Sequence, residues 1–175
     1  MRHELPNLEI FVTLSPVPGF MSWLVQECRT ENSALLSMED RRISETVRQP
    51  DNLLVADLSE EVRRVLTSAA AAYLLLAKNP QGRPLDPVAR FHLGNGARLE
   101  RINWLGDRSP KGLRRSGGLM VNYLYDLDTI VDNHEAYANH GAVAASAGVK
   151  KLLRTAPRQR NLLPLLGRAP SKALE

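Results

Sequence analysis

Two apolar patterns follow one another near the N-terminus, first a short apolar run and then a helical spacing. Residues 8–14 form the run, which predicts a buried strand with Val12 and Leu14 on one face. Residues 20–29 carry apolar side chains at helical spacing and predict a helix. Ser15 lies between them. Because the residue before a proline is pushed toward extended geometry, Ser15 should end the strand rather than begin the helix.

The longest amphipathic pattern predicts a helix over residues 58–77. Asp57 and Glu60 have the spacing of a capping box at its start. The predicted apolar stripe consists of Leu58, Val62, Val65, Leu66, Ala69, Tyr73 and Leu76. The sequence NPQG at residues 79–82 should end this helix.

A different pattern follows, in which short strand-like runs alternate with turn residues. Residues 88–93 and 97–105 predict two strands, and Asn95-Gly96 between them is a strong hairpin signal. Residues 116–125 predict a further strand because apolar side chains alternate along them. In this interpretation the chain contains at least one antiparallel hairpin.

The C-terminal part is predicted to be helical and then irregular. Residues 127–154 predict helix in two pieces, interrupted near His140-Gly141. Residues 155–175 combine prolines, a glycine and arginines, and are predicted to be a disordered basic tail. Strands, a helical block, then further strands and helices are typical of the α/β or α+β class.

Composition and charge are those of an ordinary single-domain globular protein. The 175 residues are 43% hydrophobic and 24% charged, with a net charge of +4 that is concentrated in residues 41–42, 108–115 and 150–160. Basic clusters suit a nucleic acid, a membrane surface or an anionic small molecule. Since only 5% of the residues are aromatic and no nucleic-acid motif is present, a polynucleotide is the least favoured of these ligands.

Several classes of protein are excluded or disfavoured. The lone cysteine, Cys28, excludes an internal disulfide and a cysteine-rich zinc site. No apolar run approaches the roughly 20 residues that span a bilayer. The N-terminus lacks the apolar segment of a secretory signal. A soluble, cytoplasmic protein without a membrane or nucleic-acid partner is therefore expected.

Ser15 raises the question of whether its hydroxyl serves the fold or chemistry. Pro16 and Pro18 stiffen the corner after the strand, and Gly19 permits a tight turn there. A serine at such a corner commonly satisfies local backbone groups. The same stiffness would also hold the hydroxyl at a fixed point. The stretch does not match the Gly-x-Ser-x-Gly elbow of α/β-hydrolases, so both interpretations stay open.

His92 is the histidine with the most informative surroundings. On the predicted strand, Phe91 and Leu93 share one face, so His92 would point to a cleft or to water. His3, His134 and His140 lie at the terminus or in polar helical stretches. No pair of histidines has zinc-ligand spacing supported by a carboxylate or cysteine, so no metal site is predicted.

Three further groups of residues could contribute to a site. Tyr123 and Tyr125 fall on the same side of a predicted strand, and both hydroxyls need partners. Asn103 carries an amide that would need partners if it were buried. The basic run at residues 107–118 is interpreted as a solvated loop or, alternatively, as a phosphate-facing segment.

The stretches FVTLSPVPGF and LDPVARFHLGNGARLERINWLGDRSPKGLRRSGGLMVNYLYDL resemble the C-terminal part of the malonyl-CoA decarboxylase family. The likeness runs from about Leu5 to about Leu153. It implies a GNAT-like acyl-CoA-binding fold, with a mixed sheet flanked by helices. Residues 1–154 would be the C-terminal portion of the catalytic domain, incomplete on its own, followed by the tail at 155–175. The family's helical domain and the first half of its catalytic domain, with the coenzyme A pyrophosphate loop, have no counterpart here.

The resemblance also implies an activity and the residues that serve it. The family converts malonyl-CoA to acetyl-CoA and carbon dioxide without a metal or organic cofactor, and it forms homo-oligomers. Its catalytic serine, histidine and tyrosine fall on Ser15, His92 and Tyr125 of this sequence. Substrate contacts are expected from Ser15, His92 and Asn103.

Two alternatives to decarboxylation stay open. Ser15 could be the nucleophile of an acyl-CoA transferase or thioesterase with His92 as its base, which would require a third residue to orient His92. The chain could instead be a non-catalytic acyl-CoA-binding or assembly segment, completed by another polypeptide.

Overall fold

The computed structural model describes residues 9–31, 33–47 and 59–153. Three strands lie in this part of the chain: β1 (Ile10–Pro16), β2 (Arg98–Asn103) and β3 (Met120–Asp126). It also contains the helices α1 (Phe20–Arg29), α2 (Met38–Thr46), α3 (Glu60–Leu75), α4 (Pro87–Gly94), α5 (Pro110–Ser116), α6 (Ile130–His140) and α7 (Ala147–Leu153). The α/β class predicted from the sequence is confirmed. Among the described residues, no helix combines the length and apolar composition that crossing a bilayer requires.

The sheet has the strand order β1-β3-β2, so β3 lies in the centre. Both pairings are antiparallel, whereas a mixed sheet was expected. Thr13 is opposite Tyr123 and Ser15 is opposite Val121. The side chains of these four residues therefore lie on one face of the sheet, because neighbours across an antiparallel pair point the same way.

The other face of β1 was predicted to be buried, and this prediction is wrong. Ile10, Val12 and Leu14 share that face, but each is between 55% and 56% exposed. Along β1 these apolar residues alternate with Thr13 and Ser15. The side chains of Thr13 and Ser15 point to the opposite face, which the helices cover. The described residues leave the Val12 face largely uncovered.

Helix α3 forms the centre of the core. Its N-cap is Ser59, whose side chain accepts a hydrogen bond from the backbone N–H of Val62. The predicted capping box at Asp57 and the predicted helix start at Leu58 lie outside the described residues. A run of four small side chains, Ala69, Ala70, Ala71 and Ala72, is almost completely buried. Such small side chains let neighbouring elements approach the helix closely.

Residues 88–93 were predicted to be a strand, but they belong to helix α4. Asp86 caps this helix by accepting from the Ala89 backbone N–H at 2.8 Å, and Pro87 occupies its first turn. Asn95-Gly96 ends the helix instead of forming a hairpin. Gly96 has a φ of +81°, and a Cβ atom there would lie 2.2 Å from the Ile130 carbonyl oxygen. The capping residues outweigh the strand preference of a run this short.

Two further helices were not predicted. Helix α2 begins after Ser37 and helix α5 begins after Ser109, and each serine caps its helix with its hydroxyl. The basic run at residues 107–118, interpreted as a loop, contains α5. Because α5 is short and carries glycine, its periodicity is too weak to be seen in the sequence.

The remaining C-terminal predictions hold with shifted boundaries. The strand expected at residues 116–125 is β3, which begins at Met120 because Gly117 and Gly118 have positive φ and form a turn. The two helical pieces are α6 and α7, and Gly141 separates them with a φ of +62°. The tail predicted at residues 155–175 lies outside the described residues.

Candidate active site

Ser15 lies near the end of β1, on the face of the sheet that the helices cover. It is 8% exposed, and its hydroxyl lies 3.5 Å from the Thr13 hydroxyl. The Val17 backbone N–H donates to the Ser116 hydroxyl just after the corner. Ser15 belongs to the strand as predicted, although the strand continues one residue further, to Pro16. Its side chain does not cap α1, whose N-cap is Gly19.

Helix α4 brings His92 to Ser15. The imidazole Nε2 lies 3.0 Å from the Ser15 Oγ, although 77 residues separate the two in the chain. His92 is 8% exposed. Phe91 and Leu93 do not share a face as predicted, since Phe91 is 64% exposed and Leu93 is buried. The helical turn explains this difference, because successive residues point about 100° apart on a helix.

Tyr125 engages the other nitrogen of the same ring. Its hydroxyl lies 2.7 Å from the His92 Nδ1 atom. A neutral imidazole donates through one nitrogen and accepts through the other, whereas a hydroxyl can do either. The three residues therefore form a hydrogen-bonded chain that can be polarised in either direction.

Tyr123 supports the imidazole from one side, a role that the sequence did not reveal. The two rings are stacked, with centroids 4.3 Å apart and planes at 17° to each other. Tyr123 is 1% exposed. The available signal was the alternation that puts Tyr123 and Tyr125 on one side of β3, but the partner ring could not be identified without the position of α4.

The electrostatics of the site favour a neutral histidine. Burial lowers the pKa of the His92 imidazole below its ordinary value. Burial also raises the pKa of the Tyr125 hydroxyl, which keeps that group protonated. At neutral pH the resting site thus holds a neutral imidazole between two neutral hydroxyls.

Asn103, the fourth predicted site residue, does not join this group. Its amide donates to the Asn122 side-chain oxygen at 2.9 Å and to the Met120 carbonyl oxygen at 3.3 Å. Asn122 adjoins Tyr123 on β3, so its side chain points to the opposite face of the sheet. Asn103 instead lines a separate cavity of about 440 Å³ with Arg63 and Trp104.

A smaller cavity opens beside the Ser15 corner. It has a volume of about 190 Å³ and is lined by Pro16, Pro18, Lys111 and Arg115, among others. Both cations belong to α5 and lie at the surface. The Asp107 carboxylate also lines this cavity, so its lining combines two cations with one anion and is positive on balance. Within the described ranges, the His, Cys, Asp and Glu side chains form no group of three that could hold a metal ion.

The fold and the site define an α/β domain in which a buried serine, a histidine and a tyrosine form one hydrogen-bonded chain. A family model described as the malonyl-CoA decarboxylase C-terminal domain matches residues 1–163. This chain therefore belongs to the malonyl-CoA decarboxylase family.

Similar proteins support the same conclusion. The chain is 35% identical to the mitochondrial malonyl-CoA decarboxylase of Anser anser anser, over 85% of this chain and 33% of that protein. The chain is 34% identical to the corresponding protein of Rattus norvegicus, over 87% of this chain and 35% of that protein. The crystal structure of malonyl-CoA decarboxylase from Rhodopseudomonas palustris is 54% identical, with a TM-score of 0.79, over 86% of this chain and 35% of that one. The chain thus spans about a third of the length of its curated relatives.

Proposed function

We propose that this chain supplies the serine, histidine and tyrosine that catalyse decarboxylation of malonyl-CoA to acetyl-CoA and carbon dioxide. The observation that supports this most is the buried contact of 3.0 Å between the Ser15 hydroxyl and the His92 imidazole. The names of the relatives and solved structures agree with this substrate.

The reaction needs no external electron acceptor in this proposal. The bond between the carboxylate carbon and C2 breaks, and its electron pair moves into the thioester, which becomes an enolate. Hydrogen-bond donors aimed at the enolate oxygen stabilise this charge by about 3 kcal/mol each. For the same reason we propose that neither a metal nor an organic cofactor takes part.

In this scheme Ser15 orients the substrate, Tyr125 orients the imidazole, and His92 transfers the proton. The Ser15 hydroxyl holds the substrate carboxylate out of the thioester plane and relays protons to and from His92. The net reaction takes up one proton, which His92 receives from solvent and passes to C2 of the enolate. A lowered pKa makes the imidazolium a stronger acid for this last step. The Tyr125 hydroxyl stays hydrogen-bonded to Nδ1 in both protonation states of the His92 imidazole.

A second function is supported by the same contact to Tyr125. An acyl transferase or thioesterase with Ser15 as nucleophile needs a third residue that orients the histidine, and the Tyr125 hydroxyl meets this requirement. The two functions differ in their intermediate. Mass spectrometry of the chain after rapid quenching with malonyl-CoA would find an acyl group on Ser15 only in the second case.

The wider context of the chain is also part of the proposal. We infer a GNAT-like binding mode for the acyl-CoA and a homo-oligomeric assembly when the remaining two thirds of the relatives' length is present. The predicted cytoplasmic location stays a prediction, since the curated relatives are named as mitochondrial.

The test is release of labelled carbon dioxide from malonyl-CoA. It uses the 175-residue chain alone and the chain mixed with the upstream part of the Rhodopseudomonas palustris relative. We expect release in the mixture and a loss of about 100-fold or more in His92→Ala. The control is His134→Ala, an exposed histidine that contacts the Gly94 carbonyl oxygen. Binding of malonyl-CoA without release in either form would favour a non-catalytic segment and contradict the proposal.

A further inference from the structure

The cavity at the end of β2 is separate from the Ser15 and His92 site and has no role in the scheme above. Its volume is about 440 Å³, which falls in the range of small-molecule sites, roughly 300–1,000 Å³. The end of α7 forms part of its wall. The residues of α3 and of the β2 segment that line it are Arg63, Thr67, Arg101, Ile102, Asn103 and Trp104.

The lining of this cavity is positively charged. Arg63 and Arg101 contribute two guanidinium groups, and no Asp or Glu is among the described residues that line it. Arg63 also pairs with Glu60 at 3.4 Å, but the two side chains are 54% and 88% exposed. An ion pair this exposed is weak, so Arg63 remains able to bind another anion. The cavity beside Ser15 differs, since Asp107 partly offsets its two cations.

A β-bulge places Arg101 at this cavity rather than in the core. Leu99 is opposite Tyr123 and Arg101 is opposite Asn122, so Glu100 is an extra residue in β2. In a regular strand Leu99 and Arg101 would share a face, and Leu99 is buried on the face that the helices cover. The extra residue turns Arg101 to the other face, where it is exposed. The irregularity in β2 thus makes a charged side chain available to the cavity.

The same part of β2 also turns backbone groups toward its outer edge. The Leu99 N–H donates to the Ala144 carbonyl oxygen at 2.9 Å, so the backbone groups of Leu99 point away from β3. Backbone direction alternates along an antiparallel pair, and the bulge shifts this alternation by one residue. Ile102, opposite Val121, is therefore the next residue whose N–H points away from β3. Since Ile102 lines the cavity, its N–H adds a neutral donor to the two cations.

We propose that this cavity is a second ligand site, which binds a phosphate group next to a flat ring, as a nucleotide presents them. A guanidinium can pair with two phosphate oxygens at once, and an aromatic side chain offers a flat apolar surface to a ring. Trp104, which is half-buried just after β2, supplies that surface. The site does not use Ser15, His92 or Tyr125, so nucleotide binding itself does not rest on the proposed decarboxylation.

Two molecules present this chemistry, a free nucleotide and the nucleotide end of coenzyme A. Ser15 and Ile102 are both opposite Val121 in the sheet. They are therefore two strand spacings apart, about 10 Å. Coenzyme A with its nucleotide end in the cavity is long enough to reach Ser15 with its thiol end, whereas a free nucleotide is not. Only the coenzyme A source rests on the proposed function.

The experiment is an NMR titration with ADP of the 175-residue chain, labelled with nitrogen-15 at tryptophan and histidine. The chain has two tryptophans. The Trp104 indole reports on the cavity, and Trp23, which packs against Phe20 and Tyr73, is the internal reference. We expect a saturable shift of the Trp104 signal, with a dissociation constant below about 1 mM, and no shift of the Trp23 signal.

Arg101→Gln and Arg63→Gln each remove one cation from the cavity. We expect each to weaken ADP binding about tenfold, since a charge-assisted hydrogen bond is lost. The matched control is Arg64→Gln, which removes the same charge from the next position of α3, where the side chain is exposed and does not line the cavity. An equal loss in Arg64→Gln would show non-specific attraction and overturn the site, as would the absence of a saturable Trp104 shift.

Coenzyme A in place of ADP distinguishes the two sources. Shifts of both Trp104 and His92 would assign the cavity to the nucleotide end of the acyl-CoA. A response of Trp104 to ADP, with none of His92 to coenzyme A, would assign it to a free nucleotide. If ADP binds as expected but no form of the chain releases carbon dioxide, the ligand site stands and the proposed decarboxylation fails.

Discussion

At the scale of single residues, the imidazole of His92 is the group on which the site depends. It contacts the Ser15 hydroxyl, the Tyr125 hydroxyl and the Tyr123 ring at once. Both ring nitrogens are hydrogen-bonded, and the Tyr123 ring is stacked on one face. The histidine therefore has little freedom to rotate. In the proposed reaction this arrangement would fix where His92 delivers the proton, which a histidine exposed to solvent could not do.

The contact to Tyr125 gives a prediction at this scale. Tyr125→Phe removes the hydroxyl that lies 2.7 Å from Nδ1 and keeps the ring. We expect carbon dioxide release to fall about tenfold, since one positioned hydrogen bond is lost. Tyr137→Phe is the matched control, because Tyr137 is a buried tyrosine of α6 whose ring contacts Arg83. Equal rates for wild type and Tyr125→Phe would remove Tyr125 from the mechanism.

The lowered pKa of His92 predicts how stability depends on pH. Burial makes the imidazole harder to protonate in the folded chain than in the unfolded one. The unfolded state therefore binds more protons once the pH falls below the ordinary histidine value of about 6.5. The stability that the neutral ring contributes is complete above that value and is lost as the pH falls through the folded pKa.

Urea unfolding between about pH 5 and pH 8 measures this effect. We expect the free energy of unfolding of the wild type to decrease toward acid more steeply than that of His92→Gln, which cannot take up the proton. The difference between the two curves isolates His92 from the carboxylates that titrate in the same range. Parallel curves would show that His92 is not buried in the way described.

At the scale of elements, helix α4 shows what local sequence signals could and could not reveal. Asp86-Pro87 is a helix start signature, and Asn95-Gly96 suits a helix end as well as a hairpin. The apolar residues between them suggested a strand because the helix is short. Ser15 lies in its strand rather than in the helix, as predicted, since proline geometry is local, and the strand ends one residue later at Pro16. The contact between Ser15 and α4 depends on long-range packing, which no local pattern contains.

Two glycines of positive φ allow a test of how α4 ends. Gly96 packs against the Ile130 carbonyl oxygen, whereas a Cβ atom added at Gly82 would meet no atom within 4 Å. We expect Gly82→Ala to cost about 1 kcal/mol from backbone strain alone, and Gly96→Ala more than about 2 kcal/mol because a steric overlap is added. Urea unfolding gives both values. Equal costs would mean that α4 and α6 are not in contact at this point.

At the scale of the whole molecule, the described residues cover one face of the sheet and leave the other largely exposed. The order of predicted strands and helices correctly predicted the α/β class, and the family resemblance correctly predicted the family. Composition and periodicity could not predict which side of β1 is buried, because Val12 and Leu14 are as apolar as core residues. Which side of β1 is buried depends on the helices, and these pack on the side of Ser15.

Two leucine substitutions test which face belongs to the core. Leu119 is 0% exposed and Leu14 is 56% exposed. We expect Leu119→Ala to reduce the free energy of unfolding by about 2–5 kcal/mol and Leu14→Ala by about 1 kcal/mol or less. A large cost for Leu14→Ala in the isolated chain would show that the Val12 face is covered after all.

The most direct test of the central claim is a double-mutant cycle on carbon dioxide release with Ser15→Ala, His92→Ala and the double variant. Groups that act as one unit lose little more together than either loses alone. We predict that each single variant loses about 100-fold or more and that the double variant is close to His92→Ala. Losses that multiply, or a wild-type rate in either single variant, would show that Ser15 and His92 do not act together on a malonyl thioester.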